Sequence, residues 1–387
     1  MRLAEEAIKQ AILHPEHEVR ATAVNYWSYS RNPDPAVMPL VIQAVEKYGR
    51  DTAFKLLRWA EHLAQTEPTI DWLVNELRAD YDFADIEDDN YRSAIALILL
   101  NADPELLVPR HADIVAAPAF PEALRGPLDE RLRLHRWDWA TTWHAFQNFG
   151  RTLMLRGQCS PEDSRRLERL IKALARHKEA GEQVMRLLRC QYKRGEKELM
   201  QWLDWKIVDL AGEIRLVEAV PYLLRSMDDA YEALIDEIPT ALGKIGTDSV
   251  VDAIYDEWHD TDAERRHSFV EALWRIHTDH CADVCLELLV EEDDMDVAVF
   301  LGHAVLSHFH FEGIMPVRDL VLGEDDELDG ERRDLRYGLV AAATVMGSNF
   351  PEYGRWHREA LATNYGWHDH KPGRLSDSFT WEDGHEA

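Results

Sequence analysis

Side chains that could bind a metal ion or sense protons lie close together in the C-terminal half of the chain. They are His277, His280, Cys281, Cys285, His308, His310 and Glu312. Thiolate and imidazole groups are the ligands that Zn²⁺ prefers, and residues within one or two helical turns can share one ion. Histidine also changes its charge near neutral pH. A metal site or a proton-sensing group is therefore the first chemistry that the sequence suggests.

A second group of residues, in the middle of the chain, could bind a partner. Apolar spacing predicts a helix over residues 162–178, and one face of it carries cations at i, i+4, i+7 and i+11. These cations are Arg165, Arg169, Lys172 and Arg176. One interpretation is a stripe that binds phosphate or carboxylate groups. The other is an ordinary solvated face, or one that pairs with acidic residues of the same chain.

Two tryptophans near this helix are also candidates for partner binding. Trp139 and Trp143 are four residues apart, which places them on one helical face. Aromatic residues at this spacing usually belong to a core. If they are exposed, they become candidate hot spots for a protein partner.

The elements that must position these residues repeat along the C-terminal half. Four segments align without gaps; their first residues, Ala211, Leu242, Leu273 and Val305, are 31, 31 and 32 residues apart, and a looser copy starts near Ala343. Each copy ends one helix, turns in about five residues and begins the next helix. Because a lone helix pair cannot bury its apolar face, neighbouring pairs must stack.

The repeats resemble a known family. Glu16-His-Glu-Val-Arg20 has the pattern acid-x-x-apolar-Arg, and Leu242-Gly-Lys-Ile-Gly has the pattern Leu-Gly-x-Ile-Gly. Both are similar to the HEAT repeat, in the subtype first described in phycobilin lyases. The resemblance implies an all-α, armadillo-type α-solenoid, a right-handed superhelix of stacked antiparallel helix pairs. The family includes adaptors, transport receptors, bilin lyases and a hydroxylase, so the resemblance implies a fold and a style of binding.

The repeats and the composition together predict four segments. We expect N-terminal HEAT-like repeats over 1–118, an irregular helical centre with a basic face over 119–206, C-terminal HEAT-like repeats over 207–363 and an irregular tail over 364–387.

The repeat alignment changes the interpretation of the metal-type residues. Cys281 and Cys285 fall in columns that hold small or aliphatic residues in the other copies, so we interpret both thiols as core side chains. The remaining residues lie at two successive turns, which stacking should bring side by side. We call this group the histidine edge; it consists of His277, His280, His308, His310 and Glu312. It is either a metal or proton-sensing site, or a set of polar turn residues with His308 partly buried.

Charge and composition limit the partners. The formal net charge is −29, divided as −9 over residues 1–119, +6 over 120–200 and −26 over 201–387. Such a field repels duplex DNA and anionic membranes. The longest apolar run, Ala94–Leu100, has 7 residues, whereas a span needs about 18. With no signal-peptide pattern and 4 cysteines in 387 residues, we expect a cytoplasmic protein with reduced thiols.

No catalytic or cofactor-binding motif occurs in the sequence. It contains no Gly-rich phosphate loop, no Gly-x-Ser-x-Gly and no His-Glu-x-x-His. The sequence favours a non-catalytic adaptor without metal or cofactor, whose partner is a protein with a basic or amphipathic-helical surface. One alternative is an enzyme or metal-dependent module that uses the histidine edge. The other is binding of RNA or another polyanion through the central cations.

Overall fold

The computed structural model describes residues 1–30, 33–50, 53–79, 81, 87–228, 231–323 and 329–363. In these residues the backbone forms helices, and the only β-type pairing is an isolated antiparallel bridge between Arg2 and His310. The described chain is therefore all-α. The tail predicted over 364–387 lies outside the described residues.

The first helices are α1 (Glu5–Ala11), α2 (His17–Tyr29), α3 (Val37–Tyr48), α4 (Ala53–Trp59), α5 (Glu67–Arg78), α6 (Glu87–Asn101), α7 (Pro104–Leu107), α8 (His111–Val115), α9 (Glu122–His135), α10 (Trp139–Arg156), α11 (Pro161–Leu174) and α12 (Glu179–Leu188). They are followed by α13 (Lys197–Trp202), α14 (Asp204–Glu213), α15 (Val220–Ser226), α16 (Glu232–Ile245), α17 (Asp248–Trp258), α18 (Ala263–Arg275), α19 (Asp279–Glu291), α20 (Met295–Ser307), α21 (Ile314–Val321), α22 (Asp329–Met346) and α23 (Tyr353–Thr363). Among them, no helix has both the length and the apolarity that crossing a bilayer requires.

Contacts along the chain define two compact units. The described part of the first unit comprises residues 1–135 and 273–363, and that of the second comprises 136–272. These two units are defined by spatial contacts, whereas the four segments expected from the sequence are defined by repeats and composition. The four segments therefore remain a prediction.

In the first unit, alternate helices pack together. Helix α2 contacts α4, α4 contacts α6, α3 contacts α5, and α20 contacts α22. Helix α2 also contacts α22, so the beginning and the end of the described chain share this unit. Residues 1–3 reinforce that junction, because Leu3 N donates to Phe309 O at 3.0 Å and Phe311 N donates to Met1 O at 3.1 Å.

In the second unit, α14 and α16 approach each other most closely at Gly212. A Cβ added to Gly212 would lie 2.8 Å from the Cα of Ala241. Only a residue without a side chain allows two helix backbones to come this near. Helix α11 packs against α14 and α10, and α15 contacts α17, so alternate helices also meet in this unit.

The turn after the first helix of each repeat has a recurring backbone conformation. The fifth residue of the aligned segments has a positive φ in four copies: 52° at Arg215, 65° at Gly246, 53° at Phe309 and 63° at Gly347. His277, the equivalent residue of the third copy, does not adopt it. A residue in the left-handed conformation ends a helix, because it turns the chain so that later backbone N–H groups donate to the last carbonyl groups of the helix. Segments aligned by sequence therefore share a local geometry, including the looser copy from Ala343.

Candidate binding face and thiol–imidazole cluster

The structure does not bring the histidine edge together as one ligand set. The rings of His277 and His308 are neighbours, with centroids 5.0 Å apart and planes at 74°. His310 instead places Nε2 3.0 Å from a carboxylate oxygen of Asp283. Glu312 is exposed. The edge is thus divided between a ring pair, in which His308 is buried and His277 half-buried, and a separate histidine–carboxylate pair.

His280 is the remaining member of the histidine edge. It is half-buried at the second position of α19, between Asp279 and Cys281. The next residue, Cys281, was interpreted from the sequence as a core side chain and not as a metal ligand. It belongs to a more closely spaced group of side chains.

Three side chains of metal-ligating type do converge, and we call them the thiol–imidazole cluster: Cys281, Cys285 and His308. Their ligand atoms all lie within 4.8 Å of one another. Cys281 Sγ is 4.0 Å from Cys285 Sγ and 3.8 Å from His308 Nε2. All three residues are 0% exposed. The thiols are core side chains, as their columns predict, and His308 is fully buried where partial burial was expected.

Local structure explains how this cluster is held. The two cysteines are one turn apart on α19, which Thr278 caps by accepting from Cys281 N at 3.1 Å. His308 directly follows α20. The Leu273 carbonyl accepts from the Cys281 thiol at 3.3 Å and lies 3.2 Å from His308 Nε2. Interactions with the neighbouring side chains of Cys281 and His308 lower the pKa of Cys285 to about 6. The cluster thus favours a thiolate in spite of its burial.

In the second unit, the predicted tryptophans form a stacked pair at the start of α10. The rings of Trp139 and Trp143 have centroids 5.4 Å apart and planes at 14°. Trp143 also packs on the buried Phe146, at 5.4 Å between centroids, and Trp139 contacts the ring of His177 at 6.0 Å. Both tryptophans stay half-buried. The pair is therefore anchored to the core while part of it remains accessible to a partner.

The predicted cationic stripe is shorter than its spacing suggested, because α11 ends before Arg176. Arg165 and Arg169 both form ion pairs with Glu162 in the first turn of the same helix, at 3.6 and 3.1 Å. Lys172 is half-buried, and Arg176 is exposed beyond the helix end. The stripe is thus partly neutralised within α11 itself.

Helix α10, which carries the two tryptophans, packs against helix α11, which carries the cations. The guanidinium of Arg166 lies 4.4 Å from the ring centroid of Phe149, which joins the two helices at their surface. We define the α10–α11 face as the six residues predicted for partner binding: Trp139, Trp143, Arg165, Arg169, Lys172 and Arg176.

A buried charge network between α14 and α16 was not predicted from the sequence. Lys206 Nζ lies 3.1 Å from Asp209 Oδ2 and 3.3 Å from Glu237 Oε1. Lys244 Nζ lies 2.6 Å from Asp209 Oδ1 and 2.8 Å from Glu213 Oε1. The side chains of Lys206 and Asp209 are only 3% and 6% exposed. The available signal was the helical spacing of Lys206, Asp209 and Glu213, which alone does not distinguish a buried face from a solvated one.

The charges of this network are unequal in number, with three carboxylates and two ammonium groups. Burial raises the pKa of Glu237 to about 7, against the attraction of Lys206. Burial alone would also raise the pKa of Asp209, but Lys206 and Lys244 hold it well below its usual range. Below about pH 7 the network thus approaches neutrality, because Glu237 then holds a proton, and the network ties α14 to α16.

A shallow cleft opens in the first unit beside Tyr26, His277 and Ser307. Its cavity volume is about 10 Å³, which is about the space that one water molecule needs. Its size favours recognition at a surface over enclosure of a small molecule.

No protein-family model matches the chain, and no curated protein matches it. The crystal structure of an engineered protein is similar over 90% of this chain and 100% of its own, at 12% sequence identity and a TM-score of 0.28. Similarity at that level carries no argument about fold or function. The described residues form an all-α fold. Its candidate sites are the α10–α11 face and the thiol–imidazole cluster.

Proposed function

We propose that this protein is a non-catalytic binding scaffold of the HEAT-repeat type, whose α10–α11 face holds another protein. The observation that carries the proposal is the half-buried, stacked pair of Trp139 and Trp143 on α10, which packs against the cation-bearing helix α11. Tryptophan and arginine are the residues most enriched among interface hot spots.

Stacked HEAT-like pairs in a right-handed solenoid are the architecture that we propose for the scaffold. Contacts between alternate helices within each unit support it, because stacked repeats place equivalent helices side by side. The left-handed turn that recurs in four aligned copies supports it as well. In the first unit the contact of α2 with α22 departs from this pattern, because each repeat of a simple solenoid contacts only its neighbours.

The chemistry of the face indicates what kind of partner it takes. Indole rings bind apolar side chains, and each buries about 150–250 Å² when covered. The cations around them favour carboxylates, and the rest of this acidic chain repels an acidic partner from other surfaces. We therefore propose a protein segment with an apolar face and acidic flanks, such as an amphipathic helix. Glu162 already pairs with Arg165 and Arg169, which lowers the charge left for carboxylates and for RNA phosphates alike, so the indole pair carries most of the proposed binding.

Affinity capture from the native cells, followed by mass spectrometry, tests the proposal. The bait is the full chain, compared with a Trp139→Ala, Trp143→Ala double variant. The matched control is Leu155→Ala, which removes an 85% exposed apolar side chain from the far end of the same helix. Nuclease treatment of each lysate separates protein partners from RNA.

We expect a stoichiometric protein partner that resists nuclease, is lost with the double variant and is kept by the control. Recovery of no stoichiometric partner would contradict the scaffold function. Equal recovery by all three baits would contradict the α10–α11 face as its site. Loss of every bound species after nuclease treatment would favour the RNA alternative.

A further inference from the structure

We propose that the thiol–imidazole cluster of Cys281, Cys285 and His308 is a binding site for Zn²⁺ in the core of the first unit. The proposal rests on the geometry and burial of the three side chains and is independent of the α10–α11 face.

The distances between the donor atoms fit one shared ion. The two sulfurs are 4.0 Å apart, and Cys281 Sγ is 3.8 Å from His308 Nε2. With Zn–S bonds of about 2.3 Å and Zn–N bonds of about 2.0 Å, tetrahedral or trigonal ligands are separated by about 3.8–4.0 Å between sulfurs and about 3.5–3.8 Å between sulfur and nitrogen. Two of the three donor pairs therefore already have about the spacing that Zn²⁺ requires, and all three donor atoms lie within 4.8 Å of one another.

The repeat alignment shows that packing alone does not call for these residue types. Other copies fill the two cysteine columns with small or aliphatic residues and the His308 column with isoleucine. The positions equivalent to Cys281 in the other copies hold Ala219, Val250 and Gly313. Those equivalent to Cys285 hold Leu223, Ile254 and Val317, and those equivalent to His308 hold Ile214, Ile245 and Ile276. At three core positions of the alignment, the side chains that meet in space are of metal-ligating type. An imidazole that is 0% exposed costs free energy unless its polar atoms are satisfied.

Charge balance favours a divalent ion. With both cysteines bound as thiolates and the imidazole neutral, the ligands and Zn²⁺ together leave no net charge in the core. A monovalent ion such as Cu⁺ would leave one negative charge there, which a buried site disfavours. Soft thiolate donors also exclude Mg²⁺ and Ca²⁺, which prefer oxygen ligands.

Two features limit the strength of the site. The Leu273 carbonyl oxygen lies 3.3 Å from Cys281 Sγ and 3.2 Å from His308 Nε2, but a backbone carbonyl is not among the ligands that Zn²⁺ prefers. Among the residues that the structure describes, none forms a hydrogen bond with His308 Nδ1, whereas zinc-bound imidazoles usually donate from their second nitrogen. We therefore expect a site that chelators strip more readily than a four-cysteine centre.

Metal analysis of the full chain, without a histidine tag and without chelators during purification, is the first test. Because the ligands are buried, the chain is also unfolded and refolded with Zn²⁺, Co²⁺ or Cu⁺ under reducing conditions. We expect about one zinc per chain, and with Co²⁺ the absorption bands of thiolate-to-cobalt charge transfer.

The variant Cys281→Ala, Cys285→Val uses residues found in the same columns of neighbouring repeats, Ala219 and Val317, so its core remains filled. The matched control, Cys159→Ser with Cys190→Ser, removes the two cysteines outside the cluster. Zinc content and the cobalt bands should vanish in the first variant and persist in the control.

Wild-type protein that binds neither zinc nor cobalt after refolding would overturn the proposal, whether or not the variant folds. Equal zinc in the first variant and the wild type would also overturn it. Uptake of Cu⁺ but not Zn²⁺ would overturn the assignment of the ion.

Discussion

Replacing Glu237 by glutamine should change how the stability of the protein depends on pH. Glutamine has nearly the shape of glutamic acid and keeps an oxygen that can accept from Lys206, whose Nζ lies 3.3 Å from Glu237 Oε1. It cannot ionise. The variant therefore mimics the protonated form of Glu237 at every pH and isolates the cost of charging this side chain in the network.

The sign and size follow from the pKa of Glu237, which burial raises from 4.5 to about 7. A raised carboxyl pKa means that the folded state holds its proton longer than the unfolded state. The resulting stabilisation is complete below about pH 4.5 and is lost as the pH rises to about 7. A full shift corresponds to at most about 3 kcal/mol. Because the side chain is 20% exposed, we expect about 2 kcal/mol.

The assay is urea unfolding followed by circular dichroism, on both proteins, between pH 5 and pH 8. Relative to the wild type, the free energy of unfolding of Glu237→Gln should rise by about 2 kcal/mol across this range. Titrating groups outside this charge network cancel in the comparison. Glu218→Gln, which removes an exposed carboxylate of the same unit, serves as the control and should show no such change.

A stability difference between Glu237→Gln and the wild type that stays constant from pH 5 to pH 8 would refute this reasoning. It would mean that Glu237 ionises in the folded protein as readily as in the unfolded chain. A difference that falls with pH would mean that the ionised form gains from Lys206 more than it loses by burial.

Three further substitutions test packing and backbone geometry, each by urea unfolding. Arg215→Gly should stabilise the protein by about 0.5–1 kcal/mol, because this exposed residue has a φ of 52° that glycine adopts without strain. Gly212→Ala should destabilise it by about 2 kcal/mol, since the new Cβ would lie 2.8 Å from the Cα of Ala241. Glu76→Ala should cost about 3 kcal/mol, because it leaves Arg50 without the carboxylate that accepts its two hydrogen bonds of 2.7 Å.

Matched variants separate these effects from general ones. Phe309 has the same backbone conformation as Arg215 but is fully buried, so Phe309→Gly should destabilise the protein. A Cβ on Gly126, inside α9, would meet no atom within 4 Å, so Gly126→Ala should be neutral or stabilising. Stabilisation by Phe309→Gly would contradict the explanation from backbone φ. Equal losses of stability in Gly126→Ala and Gly212→Ala would contradict the explanation from helix contact.

The sequence predicted the helical class because apolar spacing and turn residues act locally. It also placed Cys281 and Cys285 in the core, since one position of a repeat faces one environment. It did not bring them together with His308, because an alignment gives the position within a repeat and not which side chains of neighbouring repeats meet.

Long-range features were harder to predict for a similar reason. The contact of α2 with α22 joins residues that no periodicity connects. Lys206 and Asp209 were missed because charged side chains on a helix usually face water, and only the approach of Glu237 and Lys244 from α16 makes their burial tolerable.

The central claim, that the stacked tryptophans of the α10–α11 face hold a protein partner, is tested most directly by calorimetric titration. The captured partner is titrated into the wild type, the Trp139→Ala, Trp143→Ala variant and the Leu155→Ala control. We predict that the double variant weakens the Kd by at least about 30-fold, while the control leaves it unchanged. The same Kd for the double variant and the wild type would contradict the claim.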